Sequence, residues 1–331
     1  MVESIVRRVE VLRDYMRKNG LSAFVFPSTD PHCGEYVPAH WMTRQWISGF
    51  DGSAGTAVVT LSDAALWTDS RYFIAAEEQL KGTPFHLMKD GLPETPSISE
   101  WLGEKVKRLK GEKVKGSKGE RVKSEAGVTM NYEPVVGMDG NVNTIADIQA
   151  MREELGEAGI QLRTDLDPAE TLWEDRPAIP QNRVEVQPLE YAGETAESKI
   201  ERVRQALREQ HADGIVITQL DEIAWLLNLR GLDVHCNPVF VSYVLLTLDE
   251  VTLFIDEAKL DDATAAYLQR IGVKTRPYKE IGAGCKEQGA KKLLIDPNTA
   301  NYSLIQDNSS LFTFHSSPIP AMKAIKNAAE I

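Results

Sequence analysis

The chain has 331 residues, enough for two domains of ordinary size. It is 42% hydrophobic and 26% charged with a formal net charge of −12, which suits packed cores and argues against a general nucleic-acid or anionic-membrane binder. No apolar run reaches the ~18–20 residues that span a bilayer, the N-terminus is an amphipathic pattern and no signal peptide, and three scattered cysteines (Cys33, Cys236, Cys285) fit a reducing compartment, so the cytoplasm is the expected location.

Ile5, Val6, Val9, Leu12 and Met16 recur at helical spacing, which predicts an amphipathic helix over 4–18, ended by Asn19-Gly20. Leu21 to Phe26 reads as a strand stopped by Pro27. Residues 28–45 read as a long loop, a kind of segment that often carries function or an interface. Trp46 to Phe73 follows, WISGFDGSAGTAVVTLSDAALWTDSRYF. Three glycines in seven residues predict a sharp turn. Thr56–Thr68 then reads as a hairpin turned at Ser62-Asp63. Thr68 or Asp69 should cap a helix running from about Arg71 to Leu80. Beyond it come a strand near Phe85–Met88 and a helix from Ser97 to Arg108, opened by Ser97-Ile98-Ser99-Glu100.

Gly103 to Glu125 carries nine Lys or Arg against four Glu, a local +5. No aromatic residue interleaves these charges, so it reads as a solvated surface excursion rather than a nucleic-acid patch. A strand at Val135–Met138, a helix at Thr144–Leu155 and a strand at Ile160–Leu162 follow. Asp165 to Pro188 holds Pro168, Pro177, Pro180 and Pro188 with little period, and reads as a linker. The second half repeats the first: helix 197–210, strand 214–218, a Trp225 segment matching Trp46, a hairpin over Val239–Leu246 and Val251–Ile255, and helix 260–269. Each half should be a mixed sheet flanked by helices, an α/β class. Further strands are expected at Lys292–Ile295 and Leu311–Phe314.

SGFDGSAGTAVVT with ALWTDSRYF, Asp30-Pro31-His32 with Glu35-Tyr36, Trp173-Glu174-Asp175-Arg176-Pro177, and Leu220–Gly231 with Asn237-Pro238-Val239-Phe240 resemble the aminopeptidase P family, the Xaa-Pro aminopeptidases of the creatinase/prolidase superfamily. The WTDSRY and DEIAWLLNLRG segments lean toward aminopeptidase P over creatinase or prolidase relatives. The resemblance implies two creatinase N-terminal-like domains, at 1–164 and 189–317, joined by a linker at 165–188. Residues 318–331 would start a connection to a third, catalytic domain not matched in this chain. It also implies that the intact enzyme releases the residue preceding proline with two divalent metal ions (Mn or Zn). In that picture this chain is non-catalytic: it gates the site, supports a homodimer and holds no metal. The alternative is a free-standing binding module of the same fold.

The residues themselves agree on chemistry. The six histidines show no i, i+4 pair, and neither His32-Cys33-Glu35 nor His235-Cys236 sits in a CxxC or HExxH pattern. Ser53 in DGSAG lies in a turn with no histidine near it in sequence. Asp69 and Arg71 stay open between a local ion pair and a guanidinium fork held toward a peptide carboxylate at the substrate entrance. His32, Glu35 and Tyr36 join that rim as candidates. Trp41 is a candidate interface contact, while Trp46, Trp67 and Trp225 read as core.

Overall fold

Ile5, Val9, Leu12 and Met16 make one buried stripe along α1 (Val2–Lys18), each side chain contributing about 1.5–3 kcal/mol over exposure. The helix belongs to a computed structural model that describes residues 2–115, 134–289 and 291–331. The chain divides into two units. The first comprises Met1–Ser28, Met42–Gly140 and Asp147–Arg176, and the second Thr29–Trp41, Asn141–Ala146 and Pro177–Ile331.

After α1 come β1 (Ala23–Phe26), α2 (Thr43–Ser48), β2 (Thr56–Thr60), β3 (Ala64–Thr68), α3 (Phe73–Gln79), β4 (Phe85–Lys89), α4 (Ile98–Lys115), β5 (Val135–Met138), α5 (Ile145–Glu157), β6 (Gln161–Arg163) and α6 (Pro168–Leu172). The strands of the first unit are ordered β4-β3-β2-β1-β5-β6. β1–β2 and β2–β3 are antiparallel and the outer pairs parallel. The second unit continues with β7 (Glu185–Val186), α7 (Leu189–Ala192), α8 (Ala196–Glu209), β8 (Gly214–Ile217), α9 (Leu220–Leu227), β9 (Leu229–Arg230), β10 (Tyr243–Thr247), β11 (Val251–Phe254), α10 (Asp262–Arg270), β12 (Val273–Arg276), α11 (Ile281–Glu287), β13 (Leu293–Ile295), β14 (Phe312–Phe314) and α12 (Ile319–Ala324). Its main sheet runs β12-β11-β10-β8-β13-β14, the same order position for position, and β7 with β9 forms a separate two-stranded pair. Two similar mixed sheets flanked by helices are therefore what the chain builds.

The repetition reaches individual hydrogen bonds. At the β2–β3 turn, Thr60 Oγ1 accepts from Asp63 N at 2.8 Å while Arg13 Nε donates to Thr60 O at 3.1 Å. At the β10–β11 turn, Thr247 Oγ1 accepts from Glu250 N at 3.0 Å while Arg204 Nε donates to Thr247 O at 3.1 Å. α2 ends on Gly49 at φ 79° and α9 on Asn228 at φ 50°, both left-handed caps. A side chain at Gly49 would also run into Ile5 Cδ1 at 2.5 Å.

Several local expectations change. The helix after β3 starts at Phe73 with Tyr72 as its cap residue and no side-chain cap. Asp69 does not reach it, because its carboxylate is already taken by the Arg71 backbone N–H and guanidinium. The Trp46 and Trp225 segments are helices, α2 and α9. The proline-rich stretch is not featureless. Asp167 Oδ1 accepts from Ala169 N at 2.9 Å with Pro168 in the first turn of α6, and Val186 pairs with Leu229. Trp173 within it stacks on Trp46, centroids 5.6 Å apart. The capping box does form: Ser97 N donates to Glu100 Oε2 at 2.8 Å and Glu100 N to Ser97 Oγ at 3.2 Å. Its helix runs on to Lys115. The rest of the basic run, from 116, lies outside the described residues.

Candidate functional site

Two clusters hold the chemistry-bearing residues, one in each unit. In the first, the DGSAG loop is pinned from below. Arg44 is buried and donates to Ser28 Oγ at 2.8 Å, to Phe50 O at 2.7 Å and to Gly52 O. Thr68 Oγ1 donates to Ala54 O at 2.7 Å and Ser28 Oγ to Gly55 O at 2.6 Å. Four carbonyls of one short loop are thus drawn inward by side-chain donors. Burial brings the Arg44 guanidinium down to about 10, and no carboxylate hydrogen-bonds it among the described residues. Above this base Ser53 Oγ and Tyr72 OH lie 2.7 Å apart. Arg71 meets Asp69 with both arms of its fork, at 2.9 and 2.8 Å, and lies over the Tyr72 ring at 5.3 Å. The hydrogen bonds from Arg71 hold the exposed Asp69 carboxyl below its usual range.

The second cluster is built by residues 29–41. Nineteen residues separate Phe26 at the end of β1 from Trp46, but seven separate Ile217 at the end of β8 from Trp225. The longer connection is seated in the second unit. His32 is 1% exposed. Its Nδ1 is 2.9 Å from Thr218 O and its Nε2 is 2.9 Å from Tyr278 OH. Burial pushes this imidazole down to about 3, so it is neutral. Tyr243 and Tyr278 stack at 5.1 Å beside it, and Asn301 Nδ2 donates to Pro31 O at 2.9 Å and to Tyr243 OH at 2.8 Å. Asp30 is fully buried; its Oδ1 accepts from His32 N at 2.8 Å and Gly34 N at 3.4 Å. Desolvation raises it to about 6 against those backbone donors. A cavity of about 300 Å³ opens over this turn, edged by Glu35, Tyr36, Gln219, Asp221 and Asn237.

The candidate rim residues are therefore split. Asp69 and Arg71 lie on the first unit; Glu35 is exposed and Tyr36 is 48% exposed on the second. His32 is no rim residue: its ring is spent on anchoring the loop. Trp41 is no free contact either, because it is buried with Val142 and Val241. Trp46, Trp67 and Trp225 are core, as expected. Among the described residues no group of three or more His, Cys, Asp or Glu is placed to hold a metal ion. The cysteines form no disulfide, and no described helix is long and apolar enough to cross a membrane.

Sequence reasoning missed Arg44, which no motif flags, and two buried lysines. Lys259 Nζ meets Asp233 Oδ2 at 2.5 Å with both side chains out of solvent. Asp233 also accepts from Val241 N at 2.8 Å, fixing the Gly231–Val241 loop. Lys199 shares the buried face of α8 with Ala196, Ile200, Val203 and Leu207. Its place at i+3 from Ala196 was a readable signal.

Comparison with known proteins also finds two domains along the chain. Residues 8–169 and residues 175–330 each match a family model described as the creatinase/prolidase N-terminal domain. The chain is 34% identical to Xaa-Pro aminopeptidase 1 of Dictyostelium discoideum over 99% of its own length and 50% of the relative's. It is 37% identical to Xaa-Pro aminopeptidase ApepP of Drosophila melanogaster over 94% of the chain and 48% of the relative. The crystal structure of X-prolyl aminopeptidase from Caenorhabditis elegans, described as a cytosolic enzyme with a di-nuclear active site, matches with a TM-score of 0.80 at 29% identity over 93% of this chain and 48% of that one. The chain spans about half the length of these relatives. With a domain match on each half and Xaa-Pro aminopeptidase relatives along nearly its whole length, the chain belongs to the creatinase/prolidase N-terminal domain family.

Proposed function

We propose that these two domains are the non-catalytic, access-shaping part of a metal-dependent Xaa-Pro aminopeptidase. The carrying observation is the likeness to the Caenorhabditis elegans enzyme, which covers 93% of this chain but 48% of that one. The intact enzyme would take peptides with proline in second position. Two divalent ions, Mn or Zn, would supply the attacking hydroxide. No donor set for such ions exists among the described residues, so none of them is assigned as a ligand. What this chain contributes is a border. Arg71, held flat by Asp69, suits a peptide carboxylate, and Glu35 with Tyr36 offers an acceptor and an amphipathic ring. The domains would narrow the approach, exclude folded proteins and support a homodimer in the cytoplasm.

The test has two arms. The 331-residue chain with Mn²⁺ or Zn²⁺ should not cleave an Xaa-Pro peptide. In an active enzyme that contains these domains, Arg71→Ala should lower kcat/KM roughly tenfold or more. Chelator-sensitive turnover by the 331-residue chain at an ordinary enzymatic rate sinks the reading.

A further inference from the structure

α9 and the segment that carries α12 are tied by two neighbouring side chains of α9. Asp221 takes the ammonium of Lys323 on α12. Glu222 Oε2 accepts from Ser317 Oγ at 2.6 Å, and Ser317 stands just before Pro318, the cap residue of α12. Between the two ties Ile319 is 0% exposed and shares a core cluster with Ile223. The ties differ in kind. Asp221 and Lys323 form an ion pair at the surface, with side chains 50% and 25% exposed. Glu222 is 4% exposed and meets a neutral hydroxyl.

Among the described residues Ser317 is the one hydrogen-bond donor to the Glu222 carboxyl. The same serine serves a second carboxylate, because its N–H donates to Asp296 Oδ2 at 3.0 Å. The charged groups that face Glu222 are Asp221 on its own helix, Asp296 beyond β13 and Lys323 on α12. The two aspartates oppose a further negative charge, while Lys323, the Ser317 hydroxyl and the first turn of α9 favour one. Burial outweighs them and pushes this carboxyl up from 4.5 to about 7. His315 is exposed, with its Nδ1 2.8 Å from Ser316 O.

We propose that Glu222 is a pH-sensitive latch on α12: neutral, it stays buried under Ser317 and keeps the segment seated on α9; ionised, it favours the opening of residues 316–325. A carboxylate with a single neutral donor is poorly compensated out of water, and lifting the segment returns it to solvent. The sign follows from the two protonation states. Once the segment opens, Glu222 titrates near its ordinary 4.5, so between 4.5 and about 7 the open form binds fewer protons than the closed one. Opening therefore grows as pH rises across that window and levels off above it. The latch stands on second-unit residues alone and is independent of the access-shaping role proposed above.

The test is amide hydrogen exchange of the 331-residue chain, read by mass spectrometry on peptides covering 316–325 and corrected for the intrinsic pH dependence of exchange. From pH 5.5 to pH 8.5 protection of this segment should fall roughly tenfold or more in wild type and stay nearly level in Glu222→Gln. Titration of His315 is common to both proteins and cancels in the comparison. Ser317→Ala removes the donor to the anion and should move the midpoint of the loss to higher pH, so it decides if Glu222→Gln fails to fold. Level protection in wild type, an equal fall in a folded Glu222→Gln, or an unmoved midpoint in a folded Ser317→Ala overturns the proposal.

Discussion

The Lys199 ammonium sits 4.5 Å over the Trp225 ring and donates to the Trp225 carbonyl at 3.0 Å. In the first unit Arg8 makes the same double contact with Trp46, at 5.7 Å to the ring and 2.7 Å to the carbonyl. Arg8 is half-buried, whereas Lys199 is 2% exposed and has Asn228 Oδ1 at 2.7 Å as its other acceptor. One clamp is thus partly open to solvent and the other dry. The dry one carries a buried charge whose hydrogen-bonding acceptors are both neutral.

That burial sets a pH dependence. Desolvation lowers Lys199 from 10.5 to about 8 in the folded chain. Between these values the unfolded chain binds more protons, so unfolding free energy rises with pH across about 8 to 10.5. Urea unfolding at pH 7.5 and pH 10.5 should show wild type gaining about 1–3 kcal/mol relative to Lys199→Met. Equal slopes for the two proteins would refute the account.

Asp30 and His32 pull in opposite directions in acid. His32 falls from 6.5 to about 3 on folding, so its contribution is present above 6.5 and is lost as pH drops toward 3. Asp30 rises from 3.8 to about 6, so its contribution is full below 3.8 and is lost as pH climbs through 6. Melting temperatures between pH 7 and pH 4 should therefore fall more steeply for Asp30→Asn than for wild type, and less steeply for His32→Gln. The reverse ranking would contradict the burial of both groups.

Arg44→Met should destabilise the first unit by about 2–4 kcal/mol, because it strands the Phe50 and Gly52 carbonyls as well as removing the guanidinium. Arg44→Lys should recover little, since one ammonium cannot reach acceptors that diverge around a planar fork. Chemical denaturation midpoints of the three proteins decide it.

For the Lys259–Asp233 pair a double-mutant cycle is informative. Lys259→Met alone should cost about 3–5 kcal/mol by leaving a buried carboxylate unpaired. Adding Asp233→Asn to it should cost less than Asp233→Asn costs the native chain, a coupling of at least about 1 kcal/mol. Additive losses would mean the pair does not interact as drawn.

Much of the architecture was legible because local chemistry and tertiary demand agree. The β-branched run ending in Thr60, the Ser62-Asp63 turn and the Ser97–Glu100 box each form where their residues place them. The doubled order was visible in the repeated run of helix, strand, Trp-containing segment, hairpin and helix. What could not be read is decided by distant partners. His32 looked like an exposed loop histidine, and its burial depends on Thr218 and Tyr278, 186 and 246 residues away. Asp69 looked like a helix cap, and the nearer donors of Arg71 won its carboxylate. Lys199 is not singled out by its residue type, although its i+4 spacing to Val203 puts it on the apolar side of α8.

The seating of residues 29–41 has a consequence for synthesis. His32 leaves the ribosome 186 residues before Thr218, its first anchoring carbonyl, a wait of roughly ten to forty seconds at usual elongation rates. The first sheet has all of its strands by Arg163 and can close earlier, looping out a segment that includes Cys33 and the hydrophobic Trp41. Nascent chains stalled before Thr218 should therefore expose Cys33 to a thiol reagent and present Trp41 to chaperones. Chains stalled beyond Phe314 should bury Trp41 and slow the labelling of the partly buried Cys33.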